Sequence, residues 1–529
     1  MTTFPRIDEL KSALAQRLLV IDGAMGTAIQ NKDLGPDDFG GPEYEGCNEY
    51  LTVTRPDVIE DIHRSYLDAG ADIIETNTFG STPVVLAEYG LAHEARRLNR
   101  DAAIIARRVA DAASTPDKTR FVAGSMGPTT KTISVTGGIT FEELAADYHT
   151  QAVGLIEGGV DLLLLETSQD TLNVKAGLEG IDRAFVELGQ EIPVAVQGTV
   201  EPMGTLLAGQ DVEAFYTSLA HRDLLWIGLN CATGPTFMTD HIRSLAALSR
   251  FPVACVPNAG MPDEDGNYNE TPEAMAETVG RFVESGWVNL IGGCCGTVPK
   301  HIELLVETAS GKPVRPGIGS SETRVSGIET LLVDDDVRPA IVGERTNVLG
   351  SRRFRRLIKE GSFEEAAEIG RRQVRNGAHI LDVCLQDPDR DEAADVAQFL
   401  DLVTKKVKAP IMIDSTDSQV IELALKRLQG KSIINSINLE DGEERFQAVV
   451  PMARRYGAAL VVGCIDDDKE QAQAITKERK LEVAIRSAKI LTEKYGVPIE
   501  DIIFDPLVFP VGTGDQNYVG SGAETVEGV

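Results

Sequence analysis

Cysteine is scarce in this sequence. The 529 residues contain only seven, at positions 47, 231, 255, 294, 295, 384 and 464. Seven is too few for a disulfide framework in a chain of this length, and the number is odd. We therefore expect the cysteines to be free thiols or metal ligands.

Basic residues and long apolar runs are also lacking. Lys and Arg number 51 against 82 Asp and Glu, which gives a net charge of −31. Such a polyanion repels nucleic acids and anionic membranes, so we expect neither as a partner. No run of 18 apolar residues is present, and the first residues do not form an apolar leader with a small-residue cleavage site. We expect a cytoplasmic protein, monomeric by default, that acts on small molecules.

Short apolar runs recur through the first 300 residues, each followed by a segment with helical spacing. They are dense in Val, Ile and Leu, as strands buried on both faces are. Eight such β-α units predict an α/β fold, a closed TIM-type (β/α)8 barrel over residues 1–310. The runs lie at 18–22, 72–76, 121–125, 161–167, 193–198, 225–231, 252–258 and 288–294.

A Gly-, Pro- and Ser-rich stretch begins at residue 311, and we interpret 311–338 as a linker. The alternation of apolar runs with helical segments then starts again in residues 339–529, which predicts a second TIM-type barrel in tandem with the first. Because an open sheet of six strands leaves unpaired edges, we expect this barrel to be truncated after about six strands. The six runs lie at 339–344, 379–383, 410–415, 432–437, 459–464 and 501–506.

Three cysteines follow predicted strands of the first barrel. Cys231 ends the sixth strand, and Cys294 and Cys295 end the eighth. Carboxyl ends of barrel strands form one rim, where active sites are built, and three thiolates there match a zinc site with an open fourth position. A thiol substrate would bind there as a thiolate. Buried structural thiols are the alternative, and we leave Cys47 and Cys255 without a role.

Six motifs of the first barrel resemble the homocysteine methyltransferase family. They are DGAMGT (22–27), ETNTFG (75–80), GSMGP (124–128), LLLET (163–167), GLNC (228–231) and GGCCGT (292–297). The resemblance covers the whole barrel. It implies that Cys231, Cys294 and Cys295 bind zinc and that homocysteine is the substrate.

The same resemblance places the amino and carboxylate groups of homocysteine at the loop after strand one and at neighbouring strand ends. Ala24 and Met25 lie in a glycine-flanked turn whose N–H groups can hold a carboxylate. Glu75 and Glu166 can pair with the ammonium group, and Asn77 can orient the substrate through its amide. The alternative for these residues is ordinary hydrogen bonding at the barrel rim.

Polar residues also collect at the strand ends of the second barrel. A ring of carboxylates and one amide is a poor metal site, but it matches the hydrogen-bonding edge of a pterin. We therefore expect a reduced folate as ligand, although any one of these residues could instead cap a helix. The set is Glu344, Asp382, Asp414, Asn435 and Asp505.

Four motifs of the second barrel resemble the pterin-binding family of methyltetrahydrofolate methyltransferases and dihydropteroate synthases. They are GERTNVLGS (343–351), MIDST (412–416), INSI (434–437) and DIIFDP (501–506). The first favours the methyltransferase branch. This chain departs from the pattern at Cys384, where many relatives have Asn, and an Asn expected on the seventh strand lies past residue 529.

The order of the two barrels resembles the front half of the cobalamin-dependent methionine synthase family. The resemblance implies methyltetrahydrofolate as methyl donor and cobalamin as carrier, on a cobalamin-binding domain absent from this sequence. Two alternatives stay open. One is a homocysteine methyltransferase that uses betaine or S-methylmethionine, with a separate folate barrel. The other is a fusion with methylenetetrahydrofolate reductase.

Overall fold

The computed structural model describes residues 5–319, 321–512 and 514–529. Contacts within the chain define two compact units, with the boundary at residues 320–321. The segment Thr217–Arg222 precedes this boundary but clusters with the second unit. Both units are α/β, as the sequence predicted. Among the described residues, no helix combines the length and the apolar character needed to cross a bilayer.

The first unit is built on eight parallel strands, which confirms the predicted strand count. They are hydrogen-bonded in the order β1-β8-β7-β6-β5-β4-β3-β2. A parallel bridge between Ile21 and Ile73 joins β1 to β2 and so closes the sheet into a barrel. The strands are β1 Leu19–Val20, β2 Ile73–Glu75, β3 Phe121–Met126, β4 Leu162–Ser168, β5 Val194–Gly198, β6 Ile227–Asn230, β7 Val253–Val256 and β8 Leu290–Ile291.

Helices surround this barrel because their apolar faces cover the outer side of the strands. Leu10 and Leu14 of the first helix instead join the cluster inside the barrel, so this helix covers the amino end of the strands. The helices are α1 Pro5–Gln16, α2 Met25–Gln30, α3 Leu51–Thr54, α4 Pro56–Asp68, α5 Pro83–Leu86, α6 Ala95–Ala113, α7 Phe141–Glu157, α8 Thr171–Leu188, α9 Val212–Leu219, α10 Pro235–Leu248, α11 Pro272–Glu284 and α12 Pro299–Ala309.

The second unit contains a β-hairpin and a sheet of six parallel strands in sequential order. The hairpin lies in the segment that we interpreted as a linker. Its Val325 packs into the core of the six-stranded sheet, and the N–H of Ser326 donates to the carbonyl of Lys431 at 3.0 Å. The strands are β9 Arg324–Ser326, β10 Thr330–Leu332, β11 Val342–Gly343, β12 Ile380–Val383, β13 Ile411–Asp414, β14 Ile433–Ile437, β15 Ala459–Gly463 and β16 Ile502–Asp505.

The six strands of this sheet are those that the sequence predicted, in a half-barrel arrangement of the TIM type. Continuous apolar runs form them because helices cover one face and the barrel core the other. The helices of the unit are α13 Arg352–Lys359, α14 Phe363–Arg375, α15 Glu392–Val403, α16 Ser418–Leu425, α17 Glu444–Tyr456, α18 Lys477–Lys489 and α19 Ser521–Gly528.

Candidate active site

The three predicted metal-ligating cysteines meet at the carboxyl end of the first barrel. Cys231 follows β6, and Cys294 and Cys295 follow β8. Their sulfur atoms all lie within 4.8 Å of one another, and the sulfurs of Cys231 and Cys295 are 3.8 Å apart. Within the described residues, no histidine or acidic side chain joins this group at that mutual distance. The structure thus brings together the thiols that the sequence singled out.

The backbone at Cys231 and Ala232, beside the thiol cluster, is in the left-handed conformation. The φ angle is +60° at Cys231 and +51° at Ala232, a region that residues other than glycine rarely adopt. The N–H of Cys231 donates to the carbonyl of Val256 at 3.2 Å, and the N–H of Cys294 donates to that of Pro257 at 2.8 Å. Strained backbone that its neighbours hold in place is typical of functional sites.

The three thiols differ in acidity. Hydrogen bonds from Cys231 and Cys294 lower the pKa of Cys295 well below that of a free thiol. The pKa of Cys294 is raised, because its thiol is hydrogen-bonded to the other two and because it is buried. A cation that prefers thiolates would stabilise all three in the ionised form. The donor set fits zinc, whose catalytic sites have three protein ligands and one open position.

Glu166 lies in the same barrel mouth, tied to neighbouring strand ends. Its carboxylate accepts hydrogen bonds from the Ser125 hydroxyl and from Nδ2 of Asn230, the latter at 3.2 Å. Nδ2 of Asn230 also lies 3.9 Å from the sulfur of Cys294. Burial raises the pKa of Glu166 to about 7. Asn230 therefore connects this acid directly to the thiol cluster.

Two further acids share the barrel mouth with Glu166. The carboxylate of Asp22 accepts a hydrogen bond from the N–H of Glu75 at 3.1 Å. Burial, together with the charge of Glu166, raises the pKa of both Asp22 and Glu75. Buried acids that repel one another bind a cationic group favourably, because the cation relieves their repulsion. The mouth therefore suits a substrate that carries an ammonium group.

The other predicted substrate contacts lie at the same rim, and two of their donors are already engaged. The N–H of Ala24 donates to Oγ1 of Thr297 at 3.3 Å, and Met25 begins α2. Nδ2 of Asn77 donates to the carbonyl of Asn48 at 2.7 Å, and Asn77 is buried. The amide donor of Asn77 therefore holds the loop at Asn48.

Three polar residues of this rim were missed from the sequence. Tyr268 belongs to a polar loop after β7, and its side chain packs on Gly296, the neighbour of Cys295. Gln197 is 0% exposed, and by strand alternation it points into the barrel, as Ala195 does. Neither amide atom of Gln197, nor Oδ1 of Asn258, has a hydrogen-bond partner among the described residues. Tyr268 is the only aromatic residue of its loop, which was the one available signal.

In the second barrel, an asparagine joins two of the predicted folate-binding acids. Nδ2 of Asn347 donates to Asp382 and to Asp414, at 3.1 Å in each case. Burial and the charge of Asp414 raise the pKa of Asp382 to about 7, and burial also raises that of Asp414. Asn347 stands in the GERTN motif but was not among the predicted site residues. Its position just after a strand end was the signal for it.

The other predicted residues of this set lie at the same strand ends. Glu344 follows β11 and is exposed, and its charge adds to the raised pKa of Asp414. Asn435 is the register partner of Asp414 on the neighbouring strand. Asp505 ends β16, is exposed, and accepts a hydrogen bond from the N–H of Leu507 at 2.8 Å.

Cys384 occupies the place where many pterin-binding relatives have Asn. It follows β12 and is buried, and burial together with the charge of Asp414 raises the pKa of its thiol. A thiol donates and accepts hydrogen bonds only weakly, so Cys384 lacks the strong donor and acceptor of an amide.

Comparison with known proteins gives a family match for each of the two barrels. Residues 19–309 match the family model described as homocysteine S-methyltransferase, and residues 343–523 match that described as pterin binding enzyme. Similar solved structures include the metallated homocysteine methyltransferase MmuM from Escherichia coli, with 23% identity, a TM-score of 0.46, and coverage of 55% of this chain and 96% of that one. For the oxidised form of the Escherichia coli MmuM, the identity is 22%, the TM-score is 0.45, and the match covers 55% of this chain and 95% of that one.

The two barrels and the first family model define a methyltransferase of the TIM-barrel class. Because the first match spans more than half of the 529 residues, the chain belongs to the homocysteine S-methyltransferase family. It combines this domain with a pterin-binding one.

Proposed function

We propose that the chain transfers a methyl group from methyltetrahydrofolate to homocysteine, giving methionine, with zinc in the first barrel and cobalamin as carrier. Residues 1–310 would activate homocysteine, 311–338 would link the barrels, and 339–529 would bind the folate. The three thiols within 4.8 Å of one another at the rim of a homocysteine S-methyltransferase barrel carry this proposal.

Cys231, Cys294 and Cys295 would hold the zinc ion through their sulfur atoms. When bound, zinc supplies a Lewis acid at which the homocysteine thiol is deprotonated at neutral pH and held as a nucleophilic thiolate. The residues around the cluster support it. Asn230 donates toward the Cys294 sulfur, so a neutral donor offsets part of the negative charge of the thiolates.

The amino acid end of homocysteine would lie across the acids of the same mouth. Glu166 and Glu75 would pair with the ammonium group, while the turn at Ala24 and Met25 would hold the carboxylate through backbone N–H groups other than that of Ala24, which donates to Thr297. Asn77 would act indirectly. Its amide donates to the carbonyl of Asn48 at 2.7 Å and so holds the loop there. The raised pKa of both glutamates supports this assignment, because an ammonium group would restore their ionised forms.

Methyltetrahydrofolate would bind at the rim of the second barrel. Asp382, Asp414 and Asn435 would contact the pterin edge, with Glu344 and Asp505 at the outer part of the site. Asp382, whose pKa is about 7, can carry a proton near neutrality and so can donate or accept a hydrogen bond. Two acids bridged by one amide thus offer both donors and acceptors to the ligand.

The proposal includes a carrier because each barrel would hold only one of the two reactants. Methyltetrahydrofolate is also a weak methyl donor, since its leaving group is an amine that must be protonated or hydrogen-bonded during transfer. We assign the carrier role to cobalamin, on the resemblance to cobalamin-dependent methionine synthases. Its binding domain is proposed as the protein partner of this chain.

Metal analysis of the purified chain tests the zinc assignment. We expect about one zinc per chain in the wild type, as the three-thiol site requires, and its loss in Cys294→Ala. Cys255→Ala is the matched control, because Cys255 is buried but lies outside the thiol group, so this variant should keep its zinc. A wild-type chain without zinc under reducing conditions would remove the basis of the proposal.

Ligand binding tests the folate assignment separately. Replacing Asp414 by Asn removes a charged acceptor, and we expect the affinity for methyltetrahydrofolate to fall about 10- to 100-fold by calorimetry. Asp417→Asn is the control, because Asp417 caps α16 through a bond to the N–H of Gln419. Equal affinities in the Asp414 variant and the wild type would contradict the pterin site.

A further inference from the structure

Arg445 joins the ends of two neighbouring strands at the rim of the second barrel. It lies in the first turn of α17, and all three nitrogens of its guanidinium donate hydrogen bonds to backbone carbonyls. Nη2 donates to the carbonyl of Ser415 at 2.8 Å and Nη1 to that of Thr416 at 2.6 Å, in the loop after β13. Nε donates to the carbonyl of Ser436 on β14 at 3.4 Å. One side chain thus holds the backbone of both strands.

The bonded carbonyls belong to the direct neighbours of two proposed folate contacts. Asp414 is the last residue of β13, and the residue after it supplies one of these carbonyls. Asn435 likewise precedes the bonded residue of β14. Asp414 and Asn435 are the last register pair of the two strands, and the pairing of β14 with β15 is irregular between Ile434 and Ile437. Arg445 therefore bonds the backbone where the regular ladder of the sheet ends.

A second side chain extends this connection to the preceding strand. Nε2 of Gln386, in the loop after β12, donates to Oγ1 of Thr416 at 2.6 Å. Gln386 and Arg445 thus join the loops after β12, β13 and β14 in a row. Because β12 carries Asp382, the row connects three strands that carry proposed folate contacts.

We propose that Arg445 is a positioning residue of the folate site, which fixes the strand ends so that Asp414 and Asn435 face the pterin together. The inference rests on the proposed folate function and adds a residue that acts through the backbone of its contacts. Arginine suits this role because its guanidinium is planar, always charged, and donates in a fixed fork. Binding groups need such support, since they must be held within about 0.5 Å of the productive geometry.

Calorimetric titration with methyltetrahydrofolate gives the first test. Arg445→Met keeps a long unbranched side chain and removes all three hydrogen bonds, and we expect its affinity to be about tenfold lower than that of the wild type. Arg445→Lys keeps the charge but replaces the fork by a single nitrogen, so we expect an intermediate loss of about threefold. Equal affinities in Arg445→Met and the wild type would overturn the inference.

Arg454→Met is the matched control for this titration. It makes the same substitution and removes the same charge near the other end of α17, where Arg454 is exposed. Its affinity for methyltetrahydrofolate should equal that of the wild type. If Arg445→Met does not fold, the threefold loss expected for Arg445→Lys carries the test, and a wild-type affinity in that variant would contradict the inference.

A double-mutant cycle separates positioning from a general loss of stability. If Arg445 acts through Asp414, its removal matters less once that contact is already weakened. We therefore expect Arg445→Met to lower the affinity of the Asp414→Asn protein by only about threefold. A tenfold loss in both backgrounds would refute the positioning role. If the wild type itself does not bind methyltetrahydrofolate, the proposed function fails, and not this inference alone.

Discussion

His63 makes the stability of the first barrel depend on pH. Its side chain in α4 is 0% exposed, and neither ring nitrogen has a hydrogen-bond partner within the described residues. Burial lowers the pKa of His63 to about 4, from the usual 6.5. The folded protein therefore keeps the ring neutral at a pH at which the unfolded chain already takes up a proton.

The size of the effect follows from the two pKa values. As the pH falls below 6.5, proton uptake by the unfolded state lowers the free energy of unfolding until the folded state is protonated near pH 4. The full difference is about 3 kcal/mol, since one pKa unit corresponds to about 1.4 kcal/mol. Between about pH 7.5 and about pH 5.5, His63 alone should remove about 1.3 kcal/mol of stability.

Urea unfolding of the wild type and of His63→Leu at these two pH values tests the reasoning. Leucine has a similar volume and does not titrate, so His63→Leu should lose about 1.3 kcal/mol less stability than the wild type on acidification. Ile62→Val, at a buried position of the same helix, should instead be less stable at both pH values and keep the wild-type pH dependence. Identical pH dependence in His63→Leu and the wild type would refute the buried neutral histidine.

Three further predictions concern packing, capping and folate binding. Gly228→Ala should destabilise the protein by about 1–3 kcal/mol in urea unfolding, because the added Cβ would lie 2.5 Å from the backbone oxygen of Ala254. Gly280→Ala is its control, because Gly280 lies inside α11 and the nearest atom to its added Cβ, Cγ2 of Thr308, is 3.5 Å away, so this variant should be more stable by about 0.5–1 kcal/mol. Thr140→Ala should cost about 1 kcal/mol by the same assay, since the Thr140 hydroxyl caps α7; no loss would contradict the capping role. Asn347→Leu should weaken methyltetrahydrofolate binding at least about tenfold in calorimetry, because two acids would lose their shared donor; equal affinity would exclude this bridge from the site.

The strands and the rims could be predicted because their signals are local. A strand covered on both faces must be apolar along its length, so each run of Val, Ile and Leu marks one strand of a parallel sheet. Chain order and right-handed connections then bring all carboxyl ends to one rim. For this reason Cys231 and Cys294 were predicted to meet, although many residues separate them.

Other features escaped because they depend on contacts that no local pattern specifies. The hairpin around Val325 was interpreted as linker, since two strands of three residues in a Gly- and Ser-containing stretch give no strand signal. The hydrogen bond from the amide of Asn77 to the carbonyl of Asn48 spans 29 residues, and no local pattern predicts it.

The sequence by itself determined the two barrels, the strand ends and the residue types that stand there. Burial restricts strands to apolar residues, so the ends of the strands, and the thiols or acids that follow them, can be read from the sequence. Only the tertiary structure decided how these groups act on one another. Asn230 reaches the Cys294 sulfur only because β6 and β8 end at the same rim, and Asp382 acquires a pKa of about 7 only because the pairing of β12 with β13 buries it beside Asp414. Electrostatic and hydrogen-bonding properties depend on distance and burial, which chain folding alone creates.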